Sequence, residues 1–461
     1  MFFKPQHVHF VGIGGIGMSG IAEVLLTLGY EVSGSDLKLS PITDRLSALG
    51  ARIYVGHDGR NVTGAKAVVV TSALDATNPE ILEARRLQIP VIPRGELLAE
   101  LMRLKFGIAI AGSHGKTTTT SMVASILNAA NLDPTVVVGG RVAGLQGSNA
   151  RVGKSSLLVV ESDESDGSFL KLAPIIAVVT NIDREHLDHY ASLEEIQAAF
   201  LDFVNKVPFY GAAIVCMEDA NIQAIFPGIR RRTMTYGRSP QVDLEIQNIQ
   251  LAANGSDFTV RRTGAELGRF RLNVPGLHNV LNATAAIGVG LELEVSTEQL
   301  REGLAAFSGV DRRFSVRGVE NGVTVLDDYG HHPTEVKATL AAARLGPFNR
   351  ILVLFQPHRF SRTQHLLEEF GTAFHQADEV YLLDIYAASE QAIAGVSARA
   401  LLEKLQAYGH RSAHYLPGTE ESIEAIASAA APGDLIVTLG AGNVSSAAEK
   451  ILHKLRAKAA A

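Results

Sequence analysis

Short runs of β-branched residues alternate along the whole chain with Ala- and Leu-rich stretches of helical period, and this alternation leaves few folds open. Each run reads as a buried strand, and strands separated by helices pair in parallel because the crossover returns each new strand in the same direction. Leu157-Leu158-Val159-Val160 and Ile175-Ile176-Ala177-Val178-Val179 soon meet a polar residue, far short of the ~20 apolar residues of a membrane helix. They belong inside a parallel sheet.

The alternation falls into three blocks, as a length of 461 residues allows at ~150 per domain. The first has strands near 7–11, 31–33 and 67–70, with helices near 18–28 and 95–104. The second opens with a strand at 107–111 and carries a helix at 119–130; within it, 242–274 reads as antiparallel strands with a turn at Asn254-Gly255. The third has strands near 323–326, 350–355 and 435–442. Lys and Arg total 42 against 48 Asp and Glu, without blocks of like charge, so neither nucleic acid nor an anionic membrane is an expected partner. Cys216 is the single cysteine, within an apolar run, so no internal disulfide forms. With no uninterrupted signal-peptide core at the N-terminus, a cytoplasmic location is expected.

Gly12-Ile13-Gly14-Gly15-Ile16-Gly17 lies between a strand and a helix, and Asp36 follows the next strand. Such a loop lets backbone amides approach a pyrophosphate at a helix N-terminus, whether of a nicotinamide dinucleotide or of a UDP-sugar. Gly112-Ser113-His114-Gly115-Lys116-Thr117-Thr118 is the sharper signal. It is a shortened phosphate loop in which amides wrap phosphates, Lys116 reaches the β- and γ-phosphates and the Thr117 hydroxyl can ligate Mg2+. Glu161-Ser162-Asp163-Glu164-Ser165-Asp166 follows a strand, where carboxylates either meet magnesium or form a solvated acidic loop. His186 and His189 have a spacing that suggests zinc but no Cys and no His-Glu-x-x-His pattern, and exposed loop histidines are the commoner explanation. In the third block, Asp327-Asp328-Tyr329-Gly330-His331-His332-Pro333 and Gln356-Pro357-His358-Arg359-Phe360-Ser361-Arg362 each end a strand and can face one cleft. Arg359 and Arg362 suit recognition of a carboxylate or phosphate, or else a surface ion pair.

Taken in order, these motifs, with Pro275-Gly276-Leu277-His278-Asn279-Val280-Leu281-Asn282-Ala283-Thr284, resemble the Mur ligase family over essentially the whole chain. The resemblance implies an α/β protein of three domains. Residues 1–104 would be a Rossmann-like UDP-sugar domain, 105–309 a central P-loop ATPase domain with a mainly parallel sheet, and 310–461 a Rossmann-like domain for the amino acid. It implies ATP and Mg2+ as cofactors, and UDP-N-acetylmuramate and L-alanine as substrates, in a monomer or weak homodimer. ATP would meet Gly112, Ser113, His114, Gly115, Lys116, Thr117 and Thr118, with Asn279 and Asn282 near adenine and Arg313 and Asp328 reaching in from the third domain. Thr117 would hold magnesium with ATP, and Glu161 and His186 a second magnesium. Gly12, Gly14, Gly15, Gly17, Asp36, Ser72 and Arg94 would bind the UDP-sugar, and Tyr329, His331, His358, Arg359 and Arg362 would surround the amino acid and intermediate.

Ser113 stands where the family usually has Thr and keeps a hydroxyl. Several sister ligases carbamylate a lysine after the magnesium histidine; here that neighbourhood reads Phe200-Leu201-Asp202, with no Lys until Lys206, so no carbamate is expected, as in the alanine-adding branch. A recycling ligase for an intact tripeptide shares most motifs but usually has a different first glycine loop. A nicotinamide-dependent oxidoreductase would leave the Lys116 loop unexplained, and a non-catalytic nucleotide sensor would not need the third-domain arginines.

Overall fold

The computed structural model describes residues 6–71, 74–138, 150–187 and 189–460. Its strands form three sheets. In the first, five strands pair in parallel in the spatial order Arg52–Val55, Glu31–Asp36, His7–Val11, Ala67–Val70, Val91–Pro93. The order reverses beside His7–Val11, and such a switch point opens a crevice at the carboxyl ends of the strands. The Gly12–Gly17 turn sits there and leads into the helix Ile16–Thr27.

The second sheet has ten strands. Its centre is the parallel trio Ile176–Val179, Phe106–Ala111 and Leu157–Glu161, in which Ala111 pairs with Val179 and Ile110 with Glu161. That register ends the three strands together, so the phosphate loop, the acidic segment and the Asn181–His186 segment emerge side by side. Leu244–Ala252, Gly255–Arg262 and Ala265–Leu272 extend the sheet as the antiparallel set read from the sequence. The third sheet orders Ser315–Glu320, Val323–Asp328, Leu435–Leu439, Ile351–Phe355, Glu379–Leu382 and Ala413–Tyr415, parallel except for its first pair. Leu439 pairs with both Asp328 and Phe355, which places the Tyr329 and His358 segments on either side of one strand end.

Apolar packing joins the parts unequally. One buried cluster runs from Phe10 and Ile13 through Leu98, Leu101 and Met102 to Ile108 and Val159, so the first and second sheets share a core. Each fully buried aliphatic or Phe side chain there contributes about 1.5–3 kcal/mol. The buried members of the clusters on the two faces of the third sheet come from Val323 onward, with Phe314 packed against one of them. Polar contacts, described next, tie this third unit to the second. No helix among the described residues is long and apolar enough to cross a membrane.

Candidate active site

The helix after the phosphate loop spans Lys116–Ala129 and so begins three residues before the sequence suggested, putting Lys116 and Thr117 in its first turn. Gly115 precedes it with φ +82°, and a Cβ there would fall 2.6 Å from Asn282 Oδ1, so the position demands glycine and sets Asn282 against the loop. The loop is braced from the neighbouring strand end. Thr180 Oγ1 and Asn181 Nδ2 donate to the His114 carbonyl at 2.6 and 3.0 Å, Asn181 Oδ1 accepts from His114 N at 2.8 Å, and Asp183 N donates to Ser113 Oγ at 2.8 Å. A cradle fixed in this way aims amides at phosphate without reorganising.

The acidic segment is folded into the site and is not a solvated loop. Thr117 Oγ1 donates to both Glu161 oxygens, at 2.9 and 3.0 Å, and Lys116 Nζ pairs with Glu164 Oε1 at 2.7 Å while also donating to the Gly112 and Ser113 carbonyls. Glu164 is buried and lies 3.4 Å from His186 Nε2. Ligand atoms of Glu164, Glu185 and His186 all fall within 4.8 Å of one another. His186 is therefore no exposed loop histidine, whereas His189 is exposed, as expected, and stands edge-on to Tyr190. Burial lowers the His186 pKa, but the Glu164 hydrogen bond and the charges of Glu185 and Glu164 reverse that and raise it. Lys116 is likewise disfavoured as a cation by burial and raised by Glu164.

From the third sheet, Asp328 accepts from Phe314 N and Gly330 N, both at 2.7 Å, and Arg313 pairs with Glu335 at 3.2 Å. The Tyr329 ring lies 4.9 and 5.1 Å from the Arg312 and Arg313 guanidinium carbons. Arg362 donates to Glu185 at 2.9 Å and to His358 Nδ1 at 3.0 Å. An Nδ1 that accepts leaves the neutral His358 proton on Nε2. Burial, with His331, Arg362 and Arg359 nearby, pushes His358 down to about 3, so it is neutral. In its neutral form His331 has the opposite tautomer, because Nδ1 donates to the Tyr329 carbonyl at 3.0 Å and the lone pair is then on Nε2. His114 bridges the units: Nε2 is 3.0 Å from Asp183 and Nδ1 3.5 Å from Glu335. Burial opposes its charge, yet hydrogen bonds to Asp183 and Glu335 and the charges of Glu335 and Glu185 lift it to about 10.

Two adjoining cavities share Gly115, Thr117, Val310, Arg313 and Glu335. The larger, about 830 Å³, is bordered by Gly17 and Arg94 of the first sheet's unit, Lys116, Glu161 and His186 of the second, and Tyr329, His331, His358, Arg359 and Arg362 of the third. The smaller, about 270 Å³, is lined by His114, Thr118, Asn279, Asn282, Phe307, Arg313 and Asp328. Ser113 borders the larger cavity and Gly112 precedes it in the loop. In the first unit Gly14 N donates to Asp36 at 2.9 Å, and Gly12 and Gly15 belong to the same turn. Ser72 lies outside the described residues. His186, Arg312, Phe314 and Arg359 hold positive φ, a concentration of backbone strain typical of functional sites. Of the further site residues only Glu164 stands in a motif read from the sequence, and Asp183, Glu185, Thr334 and Glu335 were not singled out.

Three family profiles tile the chain: Mur ligase family, catalytic domain, over residues 7–106; Mur ligase middle domain, over 110–290; and Mur ligase, glutamate ligase domain, over 312–442. The chain belongs to the Mur ligase family. A UDP-N-acetylmuramate–L-alanine ligase of Solibacter usitatus is 65% identical over 456 residues, which are 99% of this chain and 97% of that Mur ligase. One of the same name from Acidobacterium capsulatum is 54% identical over 459 residues, 99% of each chain. Among solved structures, the UDP-N-acetylmuramate-alanine ligase of Thermotoga maritima superposes with a TM-score of 0.80 at 28% identity, covering 98% of this chain and all of that one. A murein peptide ligase of Psychrobacter arcticus has a TM-score of 0.70 at 24% identity over 98% and 99%, a likeness of fold alone.

Proposed function

We propose that this Mur ligase joins L-alanine to the lactyl carboxylate of UDP-N-acetylmuramate, with ATP converted to ADP and phosphate, in peptidoglycan precursor synthesis. The observation that carries the reading is the cavity of about 830 Å³ on which Arg94, Lys116 and Arg359, one from each unit, converge. Residues 1–104 bind the sugar nucleotide, 105–309 bind ATP and 310–461 bind the amino acid. Adenine enters the smaller cavity beside Asn279 and Asn282, with Arg313 and Asp328 closing it from the third domain.

The lactyl carboxylate attacks the γ-phosphorus in line, and ADP leaves. Little covalent work falls to the protein, so positioning and charge dominate. Lys116 and the loop amides hold the phosphoryl oxygens, and Arg94 with the first glycine turn orients the sugar nucleotide. Thr117 would hold one Mg2+ with ATP, and Glu161, to which Thr117 is hydrogen-bonded, would with His186 hold a second, His186 lying among the carboxylates of Glu164 and Glu185; such ions would neutralise phosphate charge. Arg359 holds the alanine carboxylate. The His331 Nε2 lone pair takes the proton from the attacking amine, a role that the His358 tautomer cannot fill while Arg362 donates to Nδ1. The tetrahedral intermediate then expels phosphate and leaves the amide.

Phosphate release with UDP-N-acetylmuramate, ATP and Mg2+, and with L-alanine, tripeptide or neither, tests the reading. Stimulation by L-alanine is expected; stimulation by tripeptide alone would make this a recycling ligase.

A further inference from the structure

Arg359 has φ +70° and ψ 141°, an unfavourable backbone for a residue with a Cβ, so something must hold it there. One segment from the neighbouring strand end does so. Tyr386 accepts from Arg359 N and donates its own N–H to Pro357 O, both at 2.8 Å, while its ring stacks on His358 at 5.6 Å and 12°. Four residues on, the Glu390 carboxylate accepts from Ser361 N at 3.0 Å and from Ser361 Oγ at 2.6 Å, and lies 3.8 Å from Arg359 Nη1. Ser361 is the second residue of the short helix Phe360–His365, whose first-turn amides have no partner inside the helix. Glu390 therefore fixes the helix that carries Arg362 and also faces the guanidinium of Arg359.

We propose that Glu390 is a positioning residue for capture of the amino-acid carboxylate, acting through Ser361 and Arg359 without touching substrate. The proposal rests on the reading of Arg359 as the carboxylate's partner. A guanidinium anchored at its backbone and faced by the Glu390 carboxylate is held in a fixed direction on the cavity wall, which favours bidentate binding. Without Glu390 the first turn is released and the guanidinium samples other rotamers. The loss then falls on alanine binding and spares ATP.

Glu390→Gln, Ser361→Ala, their double variant and Arg359→Ala, each in the full chain, are compared by steady-state kinetics in all three substrates. Glu390→Gln and Ser361→Ala are expected to raise the alanine KM about tenfold, with ATP and UDP-sugar KM within about twofold of the parent. The double variant should be no worse than Glu390→Gln alone, since the Ser361 hydroxyl acts only through the Glu390 carboxylate. An unchanged alanine KM in either single variant, equal rises in all three KM values, or additive losses in the double variant would each overturn the positioning role. If Arg359→Ala itself leaves the alanine KM unchanged, the carboxylate reading fails; if it raises KM and Glu390→Gln does not, the failure belongs to Glu390 alone.

Discussion

Thr334, in the first turn of the third-domain helix Pro333–Ala343, donates its hydroxyl hydrogen to Asp183 of the central domain at 2.6 Å. The same Asp183 oxygen is 3.0 Å from His114 Nε2 in the phosphate loop, so a single carboxylate couples the loop to the docking of the third domain. Asp183, with Glu185 and Glu335, makes the interface between second and third units an array of charge and hydrogen bonds, whereas a continuous apolar cluster joins the first and second. Domain motion during turnover is therefore expected about the joint near residue 310, and much less about the joint near residue 105.

That interface makes stability depend on pH in two directions. His114 is raised from 6.5 to about 10, so its contribution is complete below pH 6.5 and disappears as pH climbs towards 10. The pKa values of Glu185 and Glu335 are depressed despite burial, by His331 in its charged form and Arg362 for the first and by charged His331, His114 and Arg313 for the second. Their contribution is present above the ordinary carboxylate range and lost as pH falls below it. Thermal unfolding followed from pH 5 to 10 should show the third domain loosening above pH ~7 before the shared core of the other two melts. A His114→Gln protein should lose the alkaline slope; an unchanged slope would place the titration elsewhere.

Lys116→Ala should lower turnover by ~10²–10³-fold at saturating ATP, because its charge acts most strongly as charge moves onto the transferring oxygens. The mutant also leaves buried Glu164 without its 2.7 Å partner, so a fall in thermal midpoint should accompany the kinetic defect. Circular dichroism separates the two effects. Turnover near the parent value in a folded variant would contradict the phosphate role.

The strands and glycine turns were legible because burial and loop geometry select residue type locally: only apolar runs fill a parallel sheet, and only Gly115 tolerates the approach of Asn282. Partner choice was not. Letters alone cannot show which acid in Glu161-Ser162-Asp163-Glu164 faces Lys116, since that depends on how the chain turns after the strand; the structure gives Glu161 to Thr117 and Glu164 to Lys116. Thr334 and Glu335 acquire their roles only when the third sheet docks, and Glu390 reaches Ser361 through a loop with no periodic signature.

The first domain should bind a UDP-sugar and no nicotinamide cofactor, since Gly17 and Arg94 border the same cavity as Lys116. Calorimetry on the whole protein should show UDP-N-acetylmuramate binding and no response to NADH. Arg94→Ala should weaken the sugar nucleotide about tenfold, the value of one charged hydrogen bond. NADH binding at micromolar concentration, with silence towards the UDP-sugar, would reverse the assignment.

His331 tests the chemistry of the second half-reaction. Its Nδ1–H is committed to the Tyr329 carbonyl at 3.0 Å, so the nitrogen open to the amine is Nε2, which faces Glu185 Oε1 at 3.6 Å. Replacing His331 with Gln keeps a polar group of similar length but removes the base. Turnover at saturating alanine should fall ~10²-fold or more, while acyl phosphate formation, which precedes the amine's arrival, continues. Positional isotope exchange in ATP, or borohydride trapping of the acyl phosphate as an alcohol, reads that first step separately. Raising the pH should partly restore the variant, because more alanine then arrives already deprotonated, whereas His358→Gln should show no such rescue. Loss of isotope exchange in His331→Gln would instead put the residue in the phosphoryl step, and rescue of His358→Gln by alkali would exchange the roles of the two histidines.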